Sequence, residues 1–523
     1  MNNTVQSPND TAENRYESLK TFRQPFLARA WDCAEVTVPS LLPRQGHTAA
    51  SVLPTPWQSV GAEGLKNLAA KLLMTGFPPN TPMFRMEIDE ILLDQYQVDD
   101  RQKTKMETAL AKFERAVMKE IEMSGDRAAI FEMIKHLLLT GNALIHESPL
   151  GLRVYNLSNY VVRRDPSGTA LEIIAHESVD RVVLPEVIRQ LIDKNKKYEG
   201  KETVDLYTRI KRTETNWEVY QEVCGIVVEE TRGNYPLDKC PWLALRFSRI
   251  DGEDYGRGYI EEYLGDLNSL EDLSQTLVEG ARAAAKLLFL VNPNGVTRQK
   301  DLAESENGGI ITGLADEVST LQADKFHDFQ TAEQRVQTLE ARLNRAFLMA
   351  QSVQRDAERV TAEEIRYMAQ ELETTLGGFY TLFAQEFQLP YVRLKITKMQ
   401  KARRLPQLPK DIVRPTIVTG VEALGRGNDR QKLVGFAMTL SQAFGPEGAV
   451  GMVNRGEFAE RLAAADGIDT KGLVPTQEEF KAQEEQQQQQ AMLQQLGPQG
   501  ISTIGKMATE GMKTGQSAQQ TGN

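Results

Sequence analysis

The sequence predicts an α+β protein, mainly helical, on three observations. Apolar residues recur at three- and four-residue spacing through most of the chain. That period gives way to short alternating runs between about Asn142 and Ile250. No stretch approaches the roughly 18 consecutive apolar residues of a membrane span. At 523 residues the chain exceeds what one compact core usually holds, so several structural regions are expected.

Residues 1 to about 11 are polar and read as a loose end. A helix is expected from Glu13 to Glu35, with Tyr16, Leu19, Phe22 and Leu27 on one face and a kink at Pro25. A second follows Pro56, carrying Val60, Leu65, Leu68, Leu72 and Leu73, and the Gly-Phe-Pro-Pro run at 76–79 ends it. Met106, Leu110, Phe113, Val117 and Ile121 mark a third helix, and Ile130, Met133, Ile134, Leu137 and Leu138 a fourth. The texture changes at Gly141. Strands are expected at Leu152–Leu157, Tyr160–Arg164, Leu171–Ala175, Val204–Lys211 and Trp217–Val223, with a turn at Asp165-Pro-Ser-Gly168. Pro185 opens one helix among them, running to about Lys194. This part reads as a small α+β domain.

Helical spacing returns after Tyr255. Tyr259, Tyr263, Leu264, Leu267, Leu270, Leu273, Leu277 and Ala281 predict one continuous helix, roughly 35 Å long at 1.5 Å per residue. A mixed segment from about Leu287 to Gln322 follows. A second long helix carries Phe329, Ala332, Val336, Leu339, Leu343 and Phe347, its start marked by the capping-box spacing of Thr331 and Gln334. After a charged connector at 354–360, Thr361 and Glu364 cap a third helix with Ile365, Met368, Leu372, Leu376, Phe379, Phe383 and Phe387 in register, which Pro390 closes or bends. Pro409–Gly472 reads as a further, glycine-containing helical region. Thr476 and Glu479 could cap a helix through Gln495, with a glutamine run at 486–490, and the tail beyond Gly497-Pro498 is expected to be disordered.

Seventy-two acidic against 61 basic residues give a net charge of −11. That argues against a broad basic face gripping nucleic acid, yet it is compatible with a wall past which DNA slides. Cys33, Cys224 and Cys240 form no CxxC pair and read as inert thiols of a reducing compartment. The first twenty residues lack an apolar signal core, which points to a cytoplasm or a particle assembled there.

Motifs for chemistry are weak. Gly500-Ile-Ser-Thr-Ile-Gly-Lys506 has phosphate-loop spacing, but Met507 replaces the hydroxyl that would hold Mg²⁺ and no strand precedes it. Gly425-Arg-Gly427 lacks the third glycine of a dinucleotide fingerprint. His47, His136, His146, His176 and His327 form no close metal pair, and His136 sits in a helical stripe as a structural histidine. The acidic run of Asp251, Glu253, Asp254, Glu261, Glu262, Asp266, Glu271 and Asp272 reads as a solvated or channel-facing helix surface rather than a catalytic pair. No catalytic, cofactor-binding or metal-binding residue is assigned. Arg355 and Arg359, between two long helices, are either ordinary solvated charge or phosphate contacts projecting into a pore.

The order of elements (long helix, compact strand-containing insert, long helix, short connector, long helix) resembles that of phage portal proteins, the head-tail connectors. Tyr255-Gly-Arg-Gly-Tyr-Ile-Glu-Glu-Tyr-Leu-Gly-Asp-Leu267 and Arg359-Val-Thr-Ala-Glu-Glu-Ile-Arg-Tyr367 look like those of autographivirus-type podophages. Pro56-Trp-Gln58, Leu376-Gly-Gly378 and Gln388-Leu-Pro-Tyr-Val392 support the likeness, which covers most of residues 12 to 475.

The resemblance implies a homododecameric ring at one capsid vertex, with double-stranded DNA passing through it for packaging and ejection. It implies a flexible 1–11, a wing over 12–257, stem helices at 258–285 and 327–350, and a clip at 286–326. A tunnel loop at 351–360, a tunnel helix with its wing and crown connection at 361–408, a crown at 409–475 and a tail at 476–523 complete the series. The implied partners are the terminase large subunit and the tail adaptor at the clip, capsid and scaffolding proteins, and internal virion proteins at the crown, with no membrane. Arg355 and Arg359 become the DNA-channel candidates in a mostly negative channel. An ATP-driven motor would need a phosphate loop after a strand. Another non-enzymatic virion structural or internal protein is the remaining alternative, which the strand-rich middle disfavours.

Overall fold

The computed structural model describes residues 11–453, apart from 45, 47–50, 79–82, 89–99, 194–201, 285–287, 307–308, 322–325, 350–370, 373, 377, 408–412 and 418–424, together with 456, 458, 459 and 462. The chain divides into two compact units, 1–423 and 424–523.

Helix α1 (Ala12–Glu35) starts where the Thr11 hydroxyl accepts the Asn14 N–H, and it continues through Pro25. It is tied to strand-bearing residues by Arg23, almost fully buried, which donates to the Tyr16 hydroxyl and to the Ser158 and Tyr160 carbonyls at 3.0, 2.8 and 2.7 Å. Helix α2 (Val60–Gly76) buries Leu65, Leu68 and Leu72. Strand β1 (Phe84–Ile88) and helices α3 (Asp100–Met123) and α4 (Asp126–Thr140) follow. Gly141 ends α4 in the left-handed region, φ 74°, where glycine pays no Cβ penalty.

Strands β2 (Asn142–Ser148) and β3 (Gly151–Tyr155) then pair, and β4 (Tyr160–Arg164) turns through Asp165–Gly168 into β5 (Ala170–Asp180). The Asp165 carboxylate accepts the Thr169 N–H and the Ser167 hydroxyl, which fixes that turn. Helix α5 (Glu186–Asp193) leads to β6 (Thr203–Arg212), β7 (Asn216–Val223), β8 (Ile226–Pro236) and β9 (Trp242–Arg246). Two sheets result: a five-stranded antiparallel meander, β4-β5-β6-β7-β8, and a three-stranded sheet, β3-β2-β9. Helix α5 covers part of the meander through Ile188 and Ile192 against Val204, Val223 and Val228. The start of α1 covers another part through Tyr16 and Leu19 against Val161, Ile174 and Tyr207.

The helix expected from Tyr259 is broken. It forms as α6 (Tyr259–Glu262) and α7 (Leu264–Ala284), interrupted at Tyr263. Strand β10 (Leu288–Val291), helix α8 (Gln299–Glu304) and strand β11 (Val318–Leu321) make up the described part of the insert, with β10 and β11 antiparallel. Helix α9 (Phe326–Ala346) begins five residues before Thr331, so the Thr331–Gln334 spacing lies within it and does not mark its start.

The third long helix is described from residue 371 and its register is also interrupted. Gly378 takes φ 82°, after which come α10 (Phe379–Phe383), a wide π turn at Ala384–Gln388 and α11 (Leu389–Lys401). Of the two expectations for Pro390, closing the helix is not met: the helix runs on to Lys401. Pro390 cannot donate a backbone hydrogen bond and its ring crowds the carbonyl four residues earlier; the π turn just ahead of it relieves both. Strand β12 (Val413–Ile417) returns to pair with β1, Ile88 opposite Val413. The core of unit 1 runs through α1, α2, α4, β2 and α11, where Phe77 meets the rings of Phe383, Phe387 and Tyr391. In unit 2 the described element is helix α12 (Gly425–Met452), which kinks at Gly445.

Candidate channel and docking elements

Helices α7 and α9 run antiparallel as a two-helix stalk. Asp266 of α7 pairs with Arg342 of α9 at 2.9 Å near one end, and Gly280 lies against the Phe329 ring near the other. A Cβ on Gly280 would sit 2.4 Å from that ring, so the absence of a side chain lets the helices approach. Burial fades along the stalk. Leu267, Leu270, Leu339 and Leu343 are buried at its base. Leu273, Leu277 and Val336 are only partly covered, and Val278 is exposed.

The insert beyond continues that trend. Leu290, Val296, Ile310 and Leu314 are 52%, 66%, 102% and 59% exposed. Its order comes from polar contacts instead: the Glu317 carboxylate accepts the Val296 and Thr297 N–H groups and the Thr297 hydroxyl. Those bonds hold its carboxyl below the usual range.

The string Tyr255–Leu267 forms the joint between core and stalk. Asn142 closes a reciprocal pair with Gly256, side-chain amide to the Gly256 carbonyl at 2.9 Å and Gly256 N–H to the amide oxygen at 2.8 Å. Gly141 lies so close that its Cβ would meet the Arg257 carbonyl carbon at 2.3 Å. The Tyr255 hydroxyl accepts the Val162 N–H at 3.0 Å, and the Tyr259 hydroxyl donates to the Ala346 carbonyl at 2.9 Å.

The acidic run from Asp251 to Asp272 is largely engaged. Glu253 and Glu261 clamp the Arg257 guanidinium, Asp254 accepts the Arg164 N–H and pairs with Arg163, and Glu271 accepts the Trp57 and Gln58 N–H groups. These carboxylates brace the joint, so the run as a whole does not form a single solvated helix surface. Glu262 and Asp272 are exposed.

Arg355 and Arg359 lie outside the described residues, as do Thr361 and Glu364. The ends of their segment are described, and both meet one buried side chain. The Lys71 ammonium donates to the Leu348 carbonyl at 2.8 Å and pairs with the Glu371 carboxylate at 3.5 Å. Asn67, one turn earlier on α2, donates to the Phe347 and Leu348 carbonyls. The two described ends, Leu348 and Glu371, therefore both lie beside α2, and nothing in the spacing of Lys71 signals that role.

Among the described residues no cluster of three or more His, Cys, Asp or Glu side chains could hold a metal ion, and no helix is long and apolar enough to cross a membrane. Burial pushes the Cys33 and Cys240 thiols up to about 12, which keeps them protonated and unreactive. Burial also pushes His136 and His146 down to about 4, with His146 stacked on Trp242 at 3.9 Å, so both imidazoles are neutral packing elements near pH 7.

Residues 9–474 match the family model described as bacteriophage head to tail connecting protein. The chain is 40% identical to the portal protein of Escherichia phage T7 over 512 residues, covering 96% of this chain and 94% of that protein. It is 38% identical to the portal protein of Enterobacteria phage T3 over 97% of this chain and 96% of that protein. The portal protein of Enterobacteria phage SP6 is 32% identical over 91% of this chain and 93% of that protein. The chain belongs to the bacteriophage head to tail connecting proteins, and its function is that of a viral portal protein.

Proposed function

We propose that copies of this chain close into a ring of twelve at one capsid vertex, and that double-stranded DNA enters and leaves through the ring. The chain acts as a structural conduit and not as an enzyme. One observation carries this reading: a two-helix stalk and its insert project from a well-packed core with their own apolar residues uncovered. Thr297 is the one buried residue among those described in 288–321. A segment without a core of its own gains about 1.5–3 kcal/mol for each large apolar side chain that a neighbour covers. Side-by-side stalks in a closed ring supply such neighbours to every copy.

On this reading α7 and α9 are the stem and 286–326 the clip, which docks the terminase large subunit during packaging and the tail adaptor afterwards. Residues 351–360 are the tunnel loop, with Arg355 and Arg359 meeting phosphates in the channel, and 361–408 are the tunnel helix with its wing and crown connection. Residues 12–257 form the wing toward the capsid and scaffolding proteins. The block at 409–475 is the crown, facing the packed genome and internal virion proteins. Assembly takes place in the host cytoplasm and the ring ends in the virion.

Negative-stain electron microscopy of the full-length protein tests the ring. Closed, roughly twelve-fold rings with a hole wide enough for duplex DNA are expected, without ATP hydrolysis by the same preparation. Filaments or hole-free particles would move the chain to another virion structural role, and hydrolysis would favour a motor. Reversing the charge of Arg355 and Arg359 together should impair packaging or genome retention. Unchanged values for both would remove these residues from the channel.

A further inference from the structure

Between Glu386 and Asp411 the chain carries seven basic residues and no acidic one, within a protein of net charge −11. Four of them, Lys398, Lys401, Arg403 and Arg404, are exposed where α11 ends. Part of this charge is structural. Lys398 pairs with Glu147 at 3.3 Å and Arg404 with Glu120 at 2.8 Å. Cations in a last helical turn also offset the helix dipole, and Lys398 and Lys401 both serve there. Lys401 and Arg403 have no carboxylate partner among the described residues.

Arg403 is the sharper observation. The Arg404 N–H donates to the Met399 carbonyl at 2.9 Å and the Arg403 N–H to the Gln400 carbonyl at 3.1 Å, the paired bonds of a Schellman cap. Arg403 fills the left-handed position of that cap with φ 56°. Glycine is the usual occupant because a Cβ is penalised there. Dipole compensation does not require an arginine at that position, since two lysines already provide it. A charged, exposed side chain is thus kept at a backbone position where glycine would be more comfortable, within the most basic stretch of an acidic chain. Local strain of this kind collects where a side chain is used.

We propose that the turn ending α11, with Lys401 and Arg403 as the contacts, binds the phosphate backbone of double-stranded DNA without reading its sequence. This rests on the portal reading, in which duplex DNA is the polyanion that the particle contains. The Arg403 guanidinium presents a fork to two phosphate oxygens, and Lys401 adds a point charge beside it. Two contacts per chain are weak, and repetition around a ring makes them count while DNA still slides.

The test uses the full-length protein and a short fluorescent duplex of arbitrary sequence, with anisotropy read across a salt series. The Lys401→Gln/Arg403→Gln variant should bind about tenfold more weakly at low salt. Its slope of log affinity on log salt should flatten by about 2, near 0.9 for each phosphate that is no longer neutralised. Arg403→Gly should melt above the wild-type protein and still lose part of the binding. Wild-type protein that ignores the duplex at low salt, or variants that keep its affinity and slope, would overturn the proposal. Arg403→Gly guards against misfolding, because a variant that melts higher and binds fully can only mean that Arg403 touches no phosphate. Electron microscopy of the same samples reads ring closure separately, so a failure of the portal reading and a failure of this phosphate site are distinct results.

Discussion

Asp126 shows how much of this chain is held by buried polar groups at single positions. It is 2% exposed, accepts the Tyr391 hydroxyl at 2.7 Å and pairs with Lys395 at 2.6 Å, and Lys395 also reaches Glu147 at 2.9 Å. Burial alone would raise the Asp126 carboxyl, but the bonds from Lys395 and Tyr391 outweigh it and hold the group below its ordinary value. A carboxyl lowered in the folded state contributes stability above the unfolded value, about 4, and loses it as pH falls through the folded value. Acid unfolding of the wild-type protein should therefore steepen below about pH 4. Asp126→Asn should flatten that limb, and an unchanged limb would place the acid sensitivity elsewhere. Lys395→Met leaves buried Asp126 without a cation and Glu147 with Lys398 alone, and should cost about 3–5 kcal/mol in denaturant unfolding. Gly258 is constrained by space instead: a Cβ there would meet the Leu139 carbonyl oxygen at 2.6 Å and the Leu138 one at 2.9 Å. Gly258→Ala should cost about 2–4 kcal/mol because backbone, not a flexible side chain, must give way. The glycines and tyrosines of the Tyr255–Leu267 string make the joint through such contacts.

At the scale of elements, the π turn at Ala384–Gln388 places Glu386 against strand β9. Its carboxylate accepts the Arg246 N–H at 2.8 Å and pairs with the guanidinium at 2.5 Å, while the Arg246 side chain is 3% exposed. Glu386→Ala strands a buried cation and should destabilise the fold by about 3–5 kcal/mol. Hydrogen exchange over Trp242–Arg246 should rise with it, and protection kept intact would mean that the strand does not depend on this dock. The helices on the core were legible because one apolar stripe suffices to mark them: α1, α2 and α5 lie within a residue or two of the expected spans, and α4 starts four residues before its first periodic residue, Ile130. The strands β1 and β12 were not, since Phe84 pairs with Ile417 across more than three hundred residues and neither strand has a local turn signal. Strand β2 was hidden for another reason: its first five residues are all buried or nearly so, which erases the alternation. The break at Tyr263 and the π turn escaped notice because helical spacing tolerates a one-residue interruption. Of the candidate site, the stalk and insert could be read from the order of elements. The contacts of Lys71 with Leu348 and Glu371 could not, because a buried lysine on an apolar helix looks like any other until its partners, 277 and 300 residues away, fold against it.

For the whole molecule, charge and shape pull assembly in opposite directions. Each chain carries a net charge of −11, so copies gathered in the proposed ring would repel one another, while the uncovered apolar residues of stalk and insert favour contact. The repulsion is screened by salt, with a Debye length of about 30 Å at 0.01 M and about 8 Å at 0.15 M. Burial of apolar surface does not weaken with salt in that way. Rings should therefore form more completely as salt rises from about 0.01 to 0.15 M, with sedimentation velocity measuring the ring fraction at constant protein concentration. Over the same range, duplex binding by the turn at Lys401 and Arg403 should weaken, because phosphate contacts exchange with counterions. The two readouts must move in opposite senses if apolar contact closes the ring and basic contact holds the DNA. Rings that fall apart with added salt would mean that ion pairs between copies, rather than the covered stalks, carry assembly.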